Sequence, residues 1–248
     1  MDNQLLENVI RAHGGIERWQ QVESIQLSLN IFGPILITKF KSPWLSNITA
    51  CVYTDKPYVS FHNFPEQGMT SIFDAYHVYI YDENDQVASE RDFSLKANQR
   101  SKPRLQWDHL DLVYFLGLAV WNYSCSPFML QDDKIECHQG KVMVDIDGSR
   151  LDALNVTFPS SMPCQSKQQV FYFSEQGLLR RNDYIGKAFS PVSIGSNYYH
   201  QYETIEGFAF PTRRTLFPRL WNGRALKQIK VMDGFINDIS INWRSAYS

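Results

Sequence analysis

Turn dipeptides punctuate the second half of the chain at Asp147-Gly148, Gln176-Gly177, Glu206-Gly207, Asn222-Gly223 and Asp233-Gly234, and the segments they bound are mostly short and rich in β-branched and aromatic residues. This punctuation constrains the fold more than any other feature, because consecutive strands joined by short turns pair antiparallel. The first half reads the same way. Ile25, Leu27, Leu29 and Ile31 alternate with Ser24, Gln26, Ser28 and Asn30, Gly33-Pro34 turns the chain, and residues 35–40 run back as a strand. Residues 47–53 and 58–64 predict a second hairpin, and 69–73, 77–81 and 86–92 continue the meander. Strands are then expected at 141–146, 151–158, 168–173, 178–185, 198–205, 208–217, 225–232 and 235–241.

Two segments break this period. In residues 2–21, Leu5, Leu6, Val9, Ile10, Ile16 and Trp19 recur at three- and four-residue spacing, which predicts an amphipathic helix weakened by Gly14-Gly15. Residues 107–123 are apolar on nearly every side, and a helix of that kind is a buried one. The expected layout over 1–248 is a single domain. It has a helix at 1–21, a first meander at 22–106, a central helix at 107–123 and a second meander at 128–241. The fold class is mainly β (α+β): one curved antiparallel sheet forming a half-barrel around the central helix.

Composition narrows the function. Lys+Arg 24 against Asp+Glu 26 leaves a net charge of -2, and the longest basic run is Arg213-Arg214, which argues against a nucleic-acid partner. Aromatic residues are 14% and charged ones 20%, a balance that suits a folded core and not a disordered chain. The N-terminus has no basic segment followed by an apolar one, and no window approaches 18 apolar residues, so a cytoplasmic protein without a transmembrane segment is expected. Cys51, Cys125, Cys137 and Cys164 are scattered, which predicts free thiols and no metal site. Asn-x-Ser/Thr triplets at Asn47, Asn122 and Asn155 read as accidental. No P-loop, GxSxG, HExxH or strand–GxGxxG–helix unit occurs, so no cofactor is expected.

A leading helix, a long antiparallel meander and one central apolar helix together resemble the half-barrel of bacterial lipoprotein carriers, the LolA/LolB-like fold. That resemblance implies a sheet wrapped around helices with an apolar cavity between them. Several strings also resemble a set of uncharacterised bacterial proteins: residues 13–19 (HGGIERW), 107–110 (WDHL) with Tyr114-Phe115 and residues 121–123 (WNY), 177–184 (GLLRRNDY) and 210–214 (FPTRR).

The candidate site residues follow from these strings. Alternation in the strand at 178–185 puts Arg181 and Asp183 on one face and Asn182 and Tyr184 on the other. They either orient a ligand carboxylate or carbonyl, or form an ion pair that supports the sheet. Arg213 and Arg214 pose the same choice between an internal carboxylate and an anionic ligand. Asp108 and His109 open the central helix, where acids cap free N–H groups, while a place at a cavity mouth would suit either as general base. Asp108, His109, Asp183 and Tyr184 are thus the catalytic candidates. Tyr114, Trp121, Tyr123, Arg181, Tyr198, Arg213 and Arg214 are the ligand-binding ones.

The expected function is binding of an apolar or aromatic small molecule in the half-barrel cavity. The alternative is a cofactor-free cyclase, isomerase or decarboxylase acting on a hydrophobic natural-product intermediate. A third reading, a membrane-peripheral protein whose groove takes up a lipid chain, is disfavoured by the lack of a basic patch.

Overall fold

The computed structural model describes residues 4–94, 105–145, 147–186 and 194–245. Residues 1–3 of the expected first helix, residue 146 of the expected strand 141–146, and residues 95–104 and 187–193 of the two meanders lie outside the described residues.

Fourteen strands are described: β1 (Val22–Phe32), β2 (Trp44–Tyr53), β3 (Tyr58–His62), β4 (Thr70–Asp74), β5 (His77–Tyr81), β6 (Val87–Asp92), β7 (Glu136–Gln139), β8 (Met143–Val144), β9 (Arg150–Thr157), β10 (Gln168–Phe173), β11 (Leu179–Ile185), β12 (Ile194–Ile205), β13 (Phe208–Pro218) and β14 (Met232–Trp243). They form one antiparallel sheet in the order β6-β5-β4-β3-β2-β1-β14-β13-β12-β11-β10-β9-β7, with β8 also on β9. Its ends, β6 and β7, are not neighbours, so the sheet is not closed. The helices are α1 (Gln4–Ala12), α2 (Ile16–Trp19) and α3 (His109–Cys125). Among the described residues no helix is long and apolar enough to cross a membrane.

By contact the chain divides into two compact units, Met1–Gln21 with Cys125–Asp233, and Val22–Ser124 with Gly234–Ser248. In the first, α1 buries Leu6, Val9 and Ile10, the stripe that its spacing predicts. The expected single helix is split in two. Gly14 and Gly15 take φ values of 122° and 86°, and a Cβ on Gly14 would lie 2.5 Å from Phe208 Cδ1. Trp19 then stacks on Phe128 at 4.1 Å and meets the edge of Phe208 at 5.6 Å.

In the second unit α3 lies on the first meander. Most of its residues are buried, as its all-round apolar sequence requires, with His109 exposed and Asp111, Tyr114 and Tyr123 half-buried. Gly117 is the point of closest approach, since a Cβ there would fall 2.3 Å from the Cβ of Phe73 on β4. Around it Tyr114 stacks on Phe93 at 4.1 Å, and Trp121 donates its indole N–H to the Tyr53 carbonyl at 3.2 Å.

Two expected strands are absent. Residues Pro34–Lys39 form a 3-10 helix, because Pro34 fixes a helical φ at its start and the buried residues, Leu36 and Lys39, recur at three and not two. β1 pairs instead with β2, through Leu27↔Ala50 and its neighbours. Residues 225–232 are mostly not a strand either: Ala225 makes one isolated bridge to Arg219, and Leu226 and Val231 donate to the carbonyls of Pro218 and Leu216. Asp233-Gly234, read as a turn, lies inside β14, because the Asp233 carboxylate is taken up by Arg213, Thr215 and Lys230.

Candidate functional site

The N-terminus of α3 is built by its own acids. Asp108 Oδ1 accepts the Asp111 N–H at 3.0 Å and Asp111 Oδ2 accepts the Asp108 N–H at 3.1 Å, a reciprocal capping box. Arg91 of β6 clamps the pair, with Nη1 donating to Asp108 Oδ1 at 2.9 Å and to Asp111 Oδ1 at 3.0 Å, and Nη2 to Asp108 Oδ2. The Asp108 hydrogen bonds, followed by the charges of both acids, raise the Arg91 pKa above its ordinary value.

Beside this clamp opens a cleft of about 610 Å³, lined by Lys41, Ser89, Arg91, Gln106, Trp107, Asp108, His109 and Leu110. Trp107 and Leu110, each buried, supply its apolar floor. Trp107 is fixed by its backbone N–H to the Lys39 carbonyl at 3.1 Å and by Phe115, whose ring lies 5.3 Å from its own. His109 is exposed at the mouth, with Nδ1 3.8 Å from Glu66 Oε1. The depression is open to solvent, with the buried Trp107 and Leu110 at its base and polar side chains around them, an arrangement that can take up an apolar group against a few hydrogen-bonding groups.

The other unit carries a buried polar network on β11 and β12. Arg181 donates from Nε to Asp183 Oδ1 at 2.6 Å and from Nη2 to Asp183 Oδ2 at 2.8 Å, a bidentate pair between two residues of the same strand face. Its remaining donors go to the Tyr198 hydroxyl at 3.1 Å, the Met143 Sδ at 3.5 Å and the Gly223 carbonyl at 2.6 Å. Tyr198 donates to Asp145 at 3.0 Å, Lys227 to the other oxygen of Asp145 at 2.9 Å, and Ser196 to Asp183 at 2.6 Å. Burial lowers the Arg181 pKa, but the bonds and charge of Asp183 more than offset it, so the net shift is upward. Burial, reinforced by Asp145, pushes the Tyr198 hydroxyl up. The donors and acceptors of the network thus meet one another, and a buried polar network paired in this way stiffens the strands that carry it.

The sequence candidates thus fall into separate places. Asp108 and His109 line the cleft, and Arg181, Asp183 and Tyr198 share the β11–β12 network. Tyr184 occupies the opposite face of β11, since Arg181 and Asp183 alternate with it. Tyr114 and Trp121 are packed on the first meander, and Tyr123 is half-buried on the last turns of α3. Arg213 pairs with Asp233, Nη2 to Oδ2 at 2.7 Å, and Arg214 lies 5.9 Å from the centroid of Tyr199.

Sequence reasoning missed Arg91, Lys41, Asp145 and Lys227. Arg91 had a readable partner signal, the Asp108-x-x-Asp111 spacing, but nothing local pairs it with a helix start beyond the next segment. Asp145 falls in the expected strand 141–146, where nothing local marks it as the partner of residues 198 and 227. Among the described residues no group of three or more His, Cys, Asp or Glu is placed to hold a metal, and the four cysteines are free.

No family model and no curated protein matches the sequence. Solved structures do. A LolA superfamily protein from Nitrosomonas europaea superposes with a TM-score of 0.54 at 11% identity, over 96% of this chain and 92% of its own. A DUF1329 family protein from Desulfovibrio piger gives a TM-score of 0.54 at 14% identity, over 99% of this chain and 94% of its own. With its open antiparallel sheet and central helix, the chain has a LolA-like fold.

Proposed function

We propose that this protein binds an apolar or aromatic small molecule, with the cleft at the start of α3 as its site. The observation that carries the reading is the 610 Å³ opening floored by Trp107 and Leu110. Its size suits a drug-sized ligand, and Lys41, Ser89, Gln106 and His109 provide rim donors that would orient a carbonyl or hydroxyl. The LolA-like fold supports the same reading by analogy of architecture.

Passive binding is better supported than proton chemistry. The carboxylate of Asp108 is committed to Arg91 and to capping α3, and that of Asp183 to Arg181 and Ser196. Neither is poised to take a substrate proton without breaking its own partnership.

Titration with N-phenyl-1-naphthylamine, a neutral apolar fluorophore, tests the site. Saturable one-to-one binding is expected, and Ser89→Trp, which fills the cleft from β6, should weaken it by at least about tenfold. Unsaturable binding, or an affinity unchanged in Ser89→Trp, overturns the assignment.

A further inference from the structure

The connection between β13 and β14, residues 219–231, holds four cations and no acid: Arg219, Arg224, Lys227 and Lys230. It also holds three apolar side chains turned to solvent, Leu220 at 41%, Trp221 at 82% and Ile229 at 54% exposure. The segment is strapped down at its middle. The Gly223 carbonyl accepts from Arg181 at 2.6 Å, Lys227 bonds Asp145 at 2.9 Å, and Ala225 is buried with Tyr198 and Phe217. A rigid strap with an exposed tryptophan loses little conformational entropy when it meets a surface.

The charges around it do not cancel. Arg181, Arg213, Arg219, Lys227 and Lys230 lie within ion-pair distance of three carboxylates among the described residues, Asp145, Asp183 and Asp233, and Arg224 is exposed beside them. Adding the nearby Arg180 and Asp147 leaves the excess at three positive charges, in a chain whose net charge is -2. Asp145, Asp183 and Asp233 are almost fully buried beneath and Asp147 is exposed, while Lys227 and Lys230 keep 32% and 48% of their side chains exposed and Arg224 is exposed too. Cations with a tryptophan and two aliphatic side chains between them form the surface that an anionic bilayer attracts: the headgroups meet the charges, and the indole enters the interface. A nucleic-acid strand would call for a longer cationic track and stacked rings, and the strap presents one ring.

We propose that residues 219–231 dock this protein on anionic lipid bilayers, with Trp221 inserting among the headgroups. The test is co-sedimentation of the full chain with vesicles of phosphatidylcholine alone and of an equimolar mixture with phosphatidylglycerol. Binding to the mixture, weakened by added salt, is expected. Trp221→Ala and Arg224→Glu should each reduce it by about tenfold or more, while Trp44→Ala, which removes an exposed tryptophan on β2, should leave it unchanged. Both strap residues are exposed, so far-UV circular dichroism should match the parent. Equal binding to neutral vesicles, no binding to the mixture, or full binding by both strap variants overturns the proposal.

Discussion

His13 is 2% exposed at the end of α1, donating from Nδ1 to the Val9 carbonyl at 2.8 Å and accepting the Leu179 N–H on Nε2 at 3.4 Å. Those partners fix the neutral tautomer. Burial lowers its pKa from 6.5 to about 4, opposed only by the bond to Val9. The unfolded chain therefore takes up this proton first. The ring's contribution to stability is complete above the unfolded value of 6.5, falls as the pH drops from there to about 4, and is constant below. Over that window the loss should be roughly 3 kcal/mol. Urea titrations across the pH range should show it in the parent. In His13→Gln they should retain only the slope of other groups, such as His200, whose pKa burial also lowers; an unchanged slope refutes the assignment. Arg181 makes a second prediction at this scale. Arg181→Met removes the bidentate partner of the buried Asp183 and should cost about 3–5 kcal/mol in denaturant titration, with much of it restored in Arg181→Met/Asp183→Leu. A single-variant loss below about 1 kcal/mol contradicts the network described. Alternation had already placed Arg181 and Asp183 on one face, yet Asp145 and Lys227 come from segments that only the folded chain brings there.

At the scale of elements, α3 was the most legible feature. Residues apolar all round can only be buried, and the helix runs two residues later than expected because Asp108 is its cap and not its interior. Trp121→Ala should cost about 3–5 kcal/mol, since the indole is 4% exposed and its N–H donates to the Tyr53 carbonyl. Gly117→Ala should also destabilise, because the new Cβ meets the Cβ of Phe73 and neither the helix nor β4 can give way locally. Chemical denaturation measures both, and a loss under about 1 kcal/mol in either would place α3 off the sheet. The strands misread at 35–40 and 225–232 share a cause. Their apolar residues match a strand in composition, but Pro34 starts a 3-10 turn in one, and in the other Arg219, Arg224, Lys227 and Lys230 are spaced for a strap over a carboxylate network. Reading 225–232 as a strand is also what hid the basic patch from the sequence.

Across the whole molecule, the sheet order follows the chain outward from β1 to β6 and back from β13 to β9, as short turns dictate, and this much was readable. The pairing of late strand β14 with a place beside β1 was not, since no local signal joins residues two hundred apart. Each compact unit is made of two separate chain segments, and the chain crosses between them three times. We propose that the two unfold together as a single domain. Far- and near-ultraviolet circular dichroism should give one coincident urea transition, and two separated transitions would contradict it. The central claim is a cleft that takes an apolar or aromatic molecule, and native mass spectrometry tests it most directly. The protein as purified, or after addition of N-phenyl-1-naphthylamine, should carry a single added mass that denaturation releases as an apolar or aromatic compound. A bare protein that stays bare with the fluorophore present, or release of a strongly hydrophilic compound such as a nucleotide, would contradict the account.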